Sequence, residues 1–169
     1  MSLSYALGLG FGIAVGLGFA AVLVKKKLLS LAFDERQERA RGKAYQYGFF
    51  AMMAALWVYG LSTLFAGEWC DALVGSALCI CAGIFVFAVT AMLKDAYLSF
   101  KERPKTVMTL LILLSAVNLG IGWAYFASGA LTEQGRVTFR AVNPIVGALT
   151  LVIFIVYLIN MVFSGREEE

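Results

Sequence analysis

The chain is expected to be an all-α polytopic membrane protein: a five-transmembrane-helix bundle with its N-terminus outside and its C-terminus inside. Three observations carry that expectation. Of 169 residues, 61% are apolar and only 15% are charged, whereas a soluble domain has less than half of its residues apolar and about a quarter charged. The charges gather in short stretches and leave five uncharged runs, each close to the roughly 20 residues that cross a bilayer. The basic residues, finally, fall almost entirely on one side of those runs.

The spans are placed at about residues 3–24, 44–66, 72–93, 106–127 and 145–163, with a charged connector at 25–43, all within one membrane domain of residues 1–169. The first span lacks a basic stretch ahead of it, and its positive cluster follows the apolar run. It therefore reads as a retained helix and not as a secretory signal. Asp71 is placed to cap the third helix, accepting from amides of its first turn. Pro104 precedes the fourth, where a missing N–H does no harm, and Ser128-Gly129 ends that helix in a residue tolerant of left-handed geometry. Asn143-Pro144 reads as the cap and first-turn proline of the fifth.

With the N-terminus outside, the inner side holds Lys25, Lys26, Lys27, Arg36, Arg39, Arg41, Lys43, Lys94, Lys101, Arg103, Lys105 and Arg166. The outer side holds Arg136 and Arg140, so all 14 basic residues divide 12 to 2. Positive loops stay in the cytoplasm, which fixes the orientation.

The first span, "LGLGFGIAVGLGFA", alternates large and small residues. A lone strand in lipid leaves its backbone unpaired, so the segment is read as a helix. Gly8, Gly12 and Gly16 then share one stripe, and small residues four apart let helices approach closely. The stripe serves packing within one subunit, self-association, or both.

The connector holds the sequence's most informative local pattern. Asp34 followed by Gln37 matches a capping box. A helix from Glu35 would pair Glu35 with Arg39 and Glu38 with Arg41, and bring Arg39 and Lys43 to one face. No breaker other than Gly42 stands before the second span, so the helix is expected to run on into the membrane. Its charged turns would project on the order of 15 Å into the cytoplasm. Tyr45 and Tyr47 suit the headgroup level. Asp34, Glu35, Arg36, Arg39 and Lys43 are the candidate partner-binding residues; the same bias also suits anionic lipid.

The stretch "FDERQERARGKAYQYGFF" resembles the short juxtamembrane "DER" motif of small, uncharacterised bacterial polytopic membrane proteins, over about residues 34–50. The resemblance implies a multi-pass protein of the bacterial cytoplasmic membrane with a role in regulation, immunity or transport. It transfers no catalytic residue.

Catalytic chemistry finds little support. There is no histidine, the commonest metal ligand and general base. All eleven acidic residues lie outside the spans, which argues against proton-coupled transport and intramembrane metallohydrolysis. Cys70, Cys79 and Cys81 match no zinc or redox spacing and read as small packing residues. The glycines of the first span lack the Lys-Ser/Thr partner of a phosphate loop.

The strongest polar groups inside spans are Asn118 and Asn160, each placed to bond across helices, and Ser115, Asn118 and Gly122 form a small-polar stripe. In the outer loop, "RVTFRAV" alternates like a short strand or interfacial segment. The expected function is therefore non-enzymatic. The protein associates with a partner at the cytoplasmic face through the charged helix, with the bilayer as its solvent, no cofactor, no metal and no nucleic acid. One alternative is a homo-oligomeric channel or transporter subunit built on the glycine stripe. Another is a lipid headgroup enzyme using Lys94, Asp95, Glu102 and Arg103.

Overall fold

A computed structural model describes residues 33–98 and 104–164. The first predicted span lies outside the described residues, and with it Gly8, Gly12 and Gly16. The elements below all belong to one unit of the chain, Asp34–Leu98 with Arg103–Glu169.

Among the described residues there are four helices long and apolar enough to cross a membrane. They are α1 (Glu35–Ala66), α2 (Ala72–Met92), α3 (Pro104–Ala127) and α4 (Val142–Ser164). Between α3 and α4 lie two short strands, β1 (Thr132–Glu133) and β2 (Arg136–Val137), and a 3-10 turn, Phe139–Ala141.

Asp34 and Gln37 start α1 through the reciprocal capping box. The Asp34 carboxylate accepts from the Gln37 amide at 2.5 Å, and the Gln37 side chain accepts from the Asp34 amide at 3.5 Å. The helix then continues through Gly42 into the apolar run, so the charged stretch and the second span are one element. Its 32 residues give a length of about 48 Å, against about 31 Å for the 21 residues of α2. α1 is therefore longer than the roughly 30 Å apolar layer of a bilayer by about three turns, and its charged residues, Glu35 to Lys43, lie at that end.

The helices pack as a chain of neighbours: α1 on α2, α2 on α4, α4 on α3. Lipid tails are as apolar as the side chains, so close packing and interhelical hydrogen bonds hold such pairs together. Small residues set the approach. A Cβ on Gly48 of α1 would stand 2.8 Å from the Gly83 carbonyl oxygen of α2, and one on Gly83 would stand 3.0 Å from the Gly48 oxygen. Between α3 and α4 the Ser115 hydroxyl donates to the Gly147 carbonyl at 3.0 Å. One buried cluster joins Cys70, Val74 and Ala141 at the hairpin end, and another joins Ala88, Met92 and Ile153 toward the opposite end. Large apolar side chains such as Trp57, Leu64 and Phe65 face outward, as lipid contact requires.

Several expectations change on inspection. The Asp71 side chain does not cap α2; its Oδ2 accepts from the Phe139 amide at 2.8 Å, while the first-turn amides of Val74 and Gly75 use the Asp71 backbone oxygen. The extended segment Trp69–Asp71 lies beside β2: the Asp71 amide donates to the Val137 carbonyl and the Val137 amide to the Trp69 carbonyl, each at 2.9 Å. That pairing turns Asp71 toward the 3-10 turn. Asn143 is not a cap either, because the 3-10 turn leads into α4 at Val142 and places Asn143-Pro144 within its first turn. Of the alternating "RVTFRAV", Arg136 and Val137 form strand and Phe139–Ala141 form the 3-10 turn. Gly129, at φ +69°, does end α3 in left-handed geometry.

Candidate functional site

The site grows from two faces of the same helix turns. On one face, Gln37, Arg41, Ala44 and Gly48 recur at helical spacing, and Gln37, Ala44 and Gly48 are buried. On the other, Glu35, Arg36, Arg39 and Lys43 remain exposed.

The packed face grips the end of α2. That helix stops in a left-handed residue, Asp95 at φ +52°, an uncommon conformation that Asp tolerates better than most side chains. The Asp95 amide donates to Met92 O at 3.0 Å and the Ala96 amide to Ala91 O at 2.8 Å, a Schellman termination. The turn aims the following carbonyls at α1. Gln37 Nε2 donates to Asp95 O at 2.9 Å and Leu98 O at 3.4 Å. Arg41 Nη1 donates to Ala96 O at 3.1 Å and Tyr97 O at 3.4 Å, and Nη2 to Tyr45 Oη at 3.1 Å. The guanidinium also lies 5.4 Å from the Phe87 ring centre, with Tyr45 stacked on Phe87 at 4.5 Å. A cation at a helix C-terminus answers both its free carbonyls and its dipole. Gln37 thus closes the cap of α1 with one atom and ties down α2 with another.

The exposed face and this turn enclose a groove of about 530 Å³. Glu35, Arg36, Arg39 and Lys43 line it from α1, and Leu93, Lys94 and Asp95 from the turn. Glu35 and Arg39 pair at 2.6 Å, with about four fifths of each side chain exposed; such a pair contributes little stability. Among the described residues, Arg36, Lys43 and Lys94 have no ion-pair partner. The groove therefore presents four basic against two acidic side chains, an electropositive seat.

The candidate partner-binding residues divide accordingly. Glu35, Arg36, Arg39 and Lys43 meet at the groove, whereas Asp34 is used by the cap. The charged turns do not project as a bare helix, because residues 95–98 back them. Sequence reasoning missed Gln37 and Arg41 as clamp residues. Their signal was the continuation of the 37/41 spacing into the small residues Ala44 and Gly48.

Of the two intramembrane asparagines, Asn160 reaches across helices, donating to Met92 O of α2 at 3.3 Å. Asn118 differs: its amide donates to Leu114 O of its own helix at 2.8 Å, and Ser115 makes the crossing bond instead. The reason is local. Gly147 lies against Leu119 and Asn118 Cβ so closely that the short serine hydroxyl spans the gap. Lys94 and Asp95 meet at the groove; Glu102 and Arg103 lie outside the described residues. Among the described residues no three His, Cys, Asp or Glu side chains come together as a metal site. No family model matches the chain, and neither a curated protein nor a solved structure matches it.

Proposed function

We propose that this is a non-enzymatic, five-span protein of the bacterial cytoplasmic membrane that acts by association. Its N-terminus is outside, and the groove end of the bundle faces the cytoplasm. A regulatory, accessory or immunity-type role fits this design. The observation that carries the reading is the two-faced start of α1. One face is bound to the end of α2 by Gln37 and Arg41, and that rigid backing leaves Arg36, Arg39 and Lys43 displayed beside Lys94. A partner with an acidic surface would meet a charged patch already held in place, so little ordering entropy opposes binding.

The test is a tagged pull-down from the native cell in mild detergent, comparing the natural chain with Arg39→Glu combined with Lys43→Glu. A stoichiometric protein should accompany the natural chain and be lost from the variant, whose thermal melting stays close to that of the parent. Equal recovery from both chains would rule the patch out as the interface.

A further inference from the structure

We propose that the membrane-proximal half of the groove binds the phosphate of an anionic glycerophospholipid, held between the ammonium groups of Lys43 and Lys94. This goes beyond the protein-association reading and does not depend on it.

Depth is the first argument. Lys43 immediately precedes the apolar run of α1, and Lys94 stands two residues beyond Met92, the end of α2. Both ammonium groups therefore stand where two membrane-length helices leave the apolar layer, at the level of lipid phosphates. Tyr45, 57% exposed, lies two residues farther along α1, at the depth where tyrosines collect at a membrane boundary. Leu93, between Met92 and Lys94, is 70% exposed and also lines the groove. It offers apolar surface for the glycerol and first acyl carbons just below the charged pair.

Charge is the second argument. Lys43 and Lys94 lack an ion-pair partner among the described residues, as does Arg36 two turns farther out. A phosphodiester has two non-bridging oxygens, enough to accept from an ammonium on each wall. The acidic groups suit the rest of such a headgroup: Glu35 is already neutralised by Arg39 at 2.6 Å, and the exposed Asp95 carboxylate can accept from headgroup hydroxyls of the phosphatidylglycerol type.

Rigidity is the third. Lys43 and Lys94 come from different elements, yet the bonds from Gln37 and Arg41 to residues 95–98 tie those elements together beside the groove. The two backbone segments that carry the lysines are therefore held in place before a lipid arrives.

The experiment uses the full purified chain in mild detergent, mixed with phosphatidylglycerol or phosphatidylcholine, and reads retained lipid by native mass spectrometry. Each basic residue near an anionic headgroup is worth about a fivefold factor. The natural chain should retain phosphatidylglycerol in preference to phosphatidylcholine. Lys43→Gln with Lys94→Gln should reduce phosphatidylglycerol retention by about 25-fold, and Lys94→Gln alone by about fivefold. Lys105→Gln, on the exposed start of α3, should retain it like the parent. Far-UV circular dichroism and elution volume report whether each variant is folded; the single Lys94 substitution, at an exposed site, keeps the test decisive if the double variant is not. Undiminished phosphatidylglycerol binding in folded Lys94→Gln and double variants would overturn the proposal, as would an equal loss in Lys105→Gln. Displacement of the lipid by equimolar inorganic phosphate would also overturn it, assigning the groove to free phosphate.

Discussion

Arg41 concentrates the most consequences in one side chain. It carries a charge into a partly buried setting, where a cation is costly unless its donors are used. The Ala96 and Tyr97 carbonyls and the Tyr45 hydroxyl take them, and the Phe87 and Tyr45 rings flank the guanidinium. Lysine cannot replace it, because one ammonium cannot present the same planar fork to carbonyls and rings. Arg41→Ala should cost about 1.5–3 kcal/mol, read as a lower melting temperature in detergent. The exposed Lys43→Ala should stay within about 0.5 kcal/mol. Faster amide exchange at residues 95–98 in the Arg41 variant would locate the damage at the clamp; a melting temperature equal to the parent's would show that the clamp does not hold the turn.

The pairing of α1 with α2 turns on the crossing of Gly48 and Gly83. A β-carbon on Gly48 would stand 2.8 Å from the Gly83 oxygen, closer than β-carbons come, and one on Gly83 would stand 3.0 Å from the Gly48 oxygen, so a side chain at position 48 must push the helices apart. Gly48→Ile should therefore destabilise the bundle by about 1–3 kcal/mol or more. Gly60, on the same helix, has nothing within 4 Å of the place its β-carbon would take. Gly60→Ile should melt like the parent, and the β-branched residue costs a helix less than glycine does. Equal melting of the two variants would refute the close approach. The crossing also explains why the apolar part of α1 has so little of its own surface covered: contact is confined to one seam, in which Gly48 meets Gly83 and Met52 and Tyr59 fit against Gly83 and Gly75, and large side chains outside it are exposed.

At the scale of the whole molecule, the two ends of the bundle are built differently. The hairpin end is tied by backbone pairing between Trp69–Asp71 and β2, by Asp71 to the Phe139 amide, and by the Glu68–Arg136 pair at 2.7 Å. The groove end is tied by side chains reaching backbone carbonyls. If the four helices cross a bilayer, Lys94 and Gln134 lie on opposite sides of it. Cysteines placed singly at these positions, with Cys70, Cys79 and Cys81 replaced by alanine, should react with a membrane-impermeant maleimide from opposite sides. The Lys94 position should be reached only from the cytoplasm. Labelling of both from the same side would disprove the spanning arrangement.

The sequence by itself determined the solvent and the elements. Long uncharged runs demand a nonpolar medium, and in that medium the backbone must bond within each segment, so four of the five predicted spans appear as helices with ends close to those expected. The capping box at Asp34 and Gln37, the Glu35–Arg39 pair and the left-handed Gly129 were legible because each depends on residues a few positions apart. Tertiary structure decided where the polar side chains went. Asp71 bonds to Phe139, Gln37 and Arg41 bond to residues 95–98, and Ser115 rather than Asn118 crosses to α4. Local pattern offers each of these side chains a satisfactory nearby partner. Only the packed neighbours show which carbonyl or amide would otherwise stay unpaired, and an unpaired group away from water costs more than a local bond gains. The groove has the same origin: four of its charges are adjacent on one helix, but the wall formed by Leu93, Lys94 and Asp95 exists because α2 ends in a turn that α1 holds.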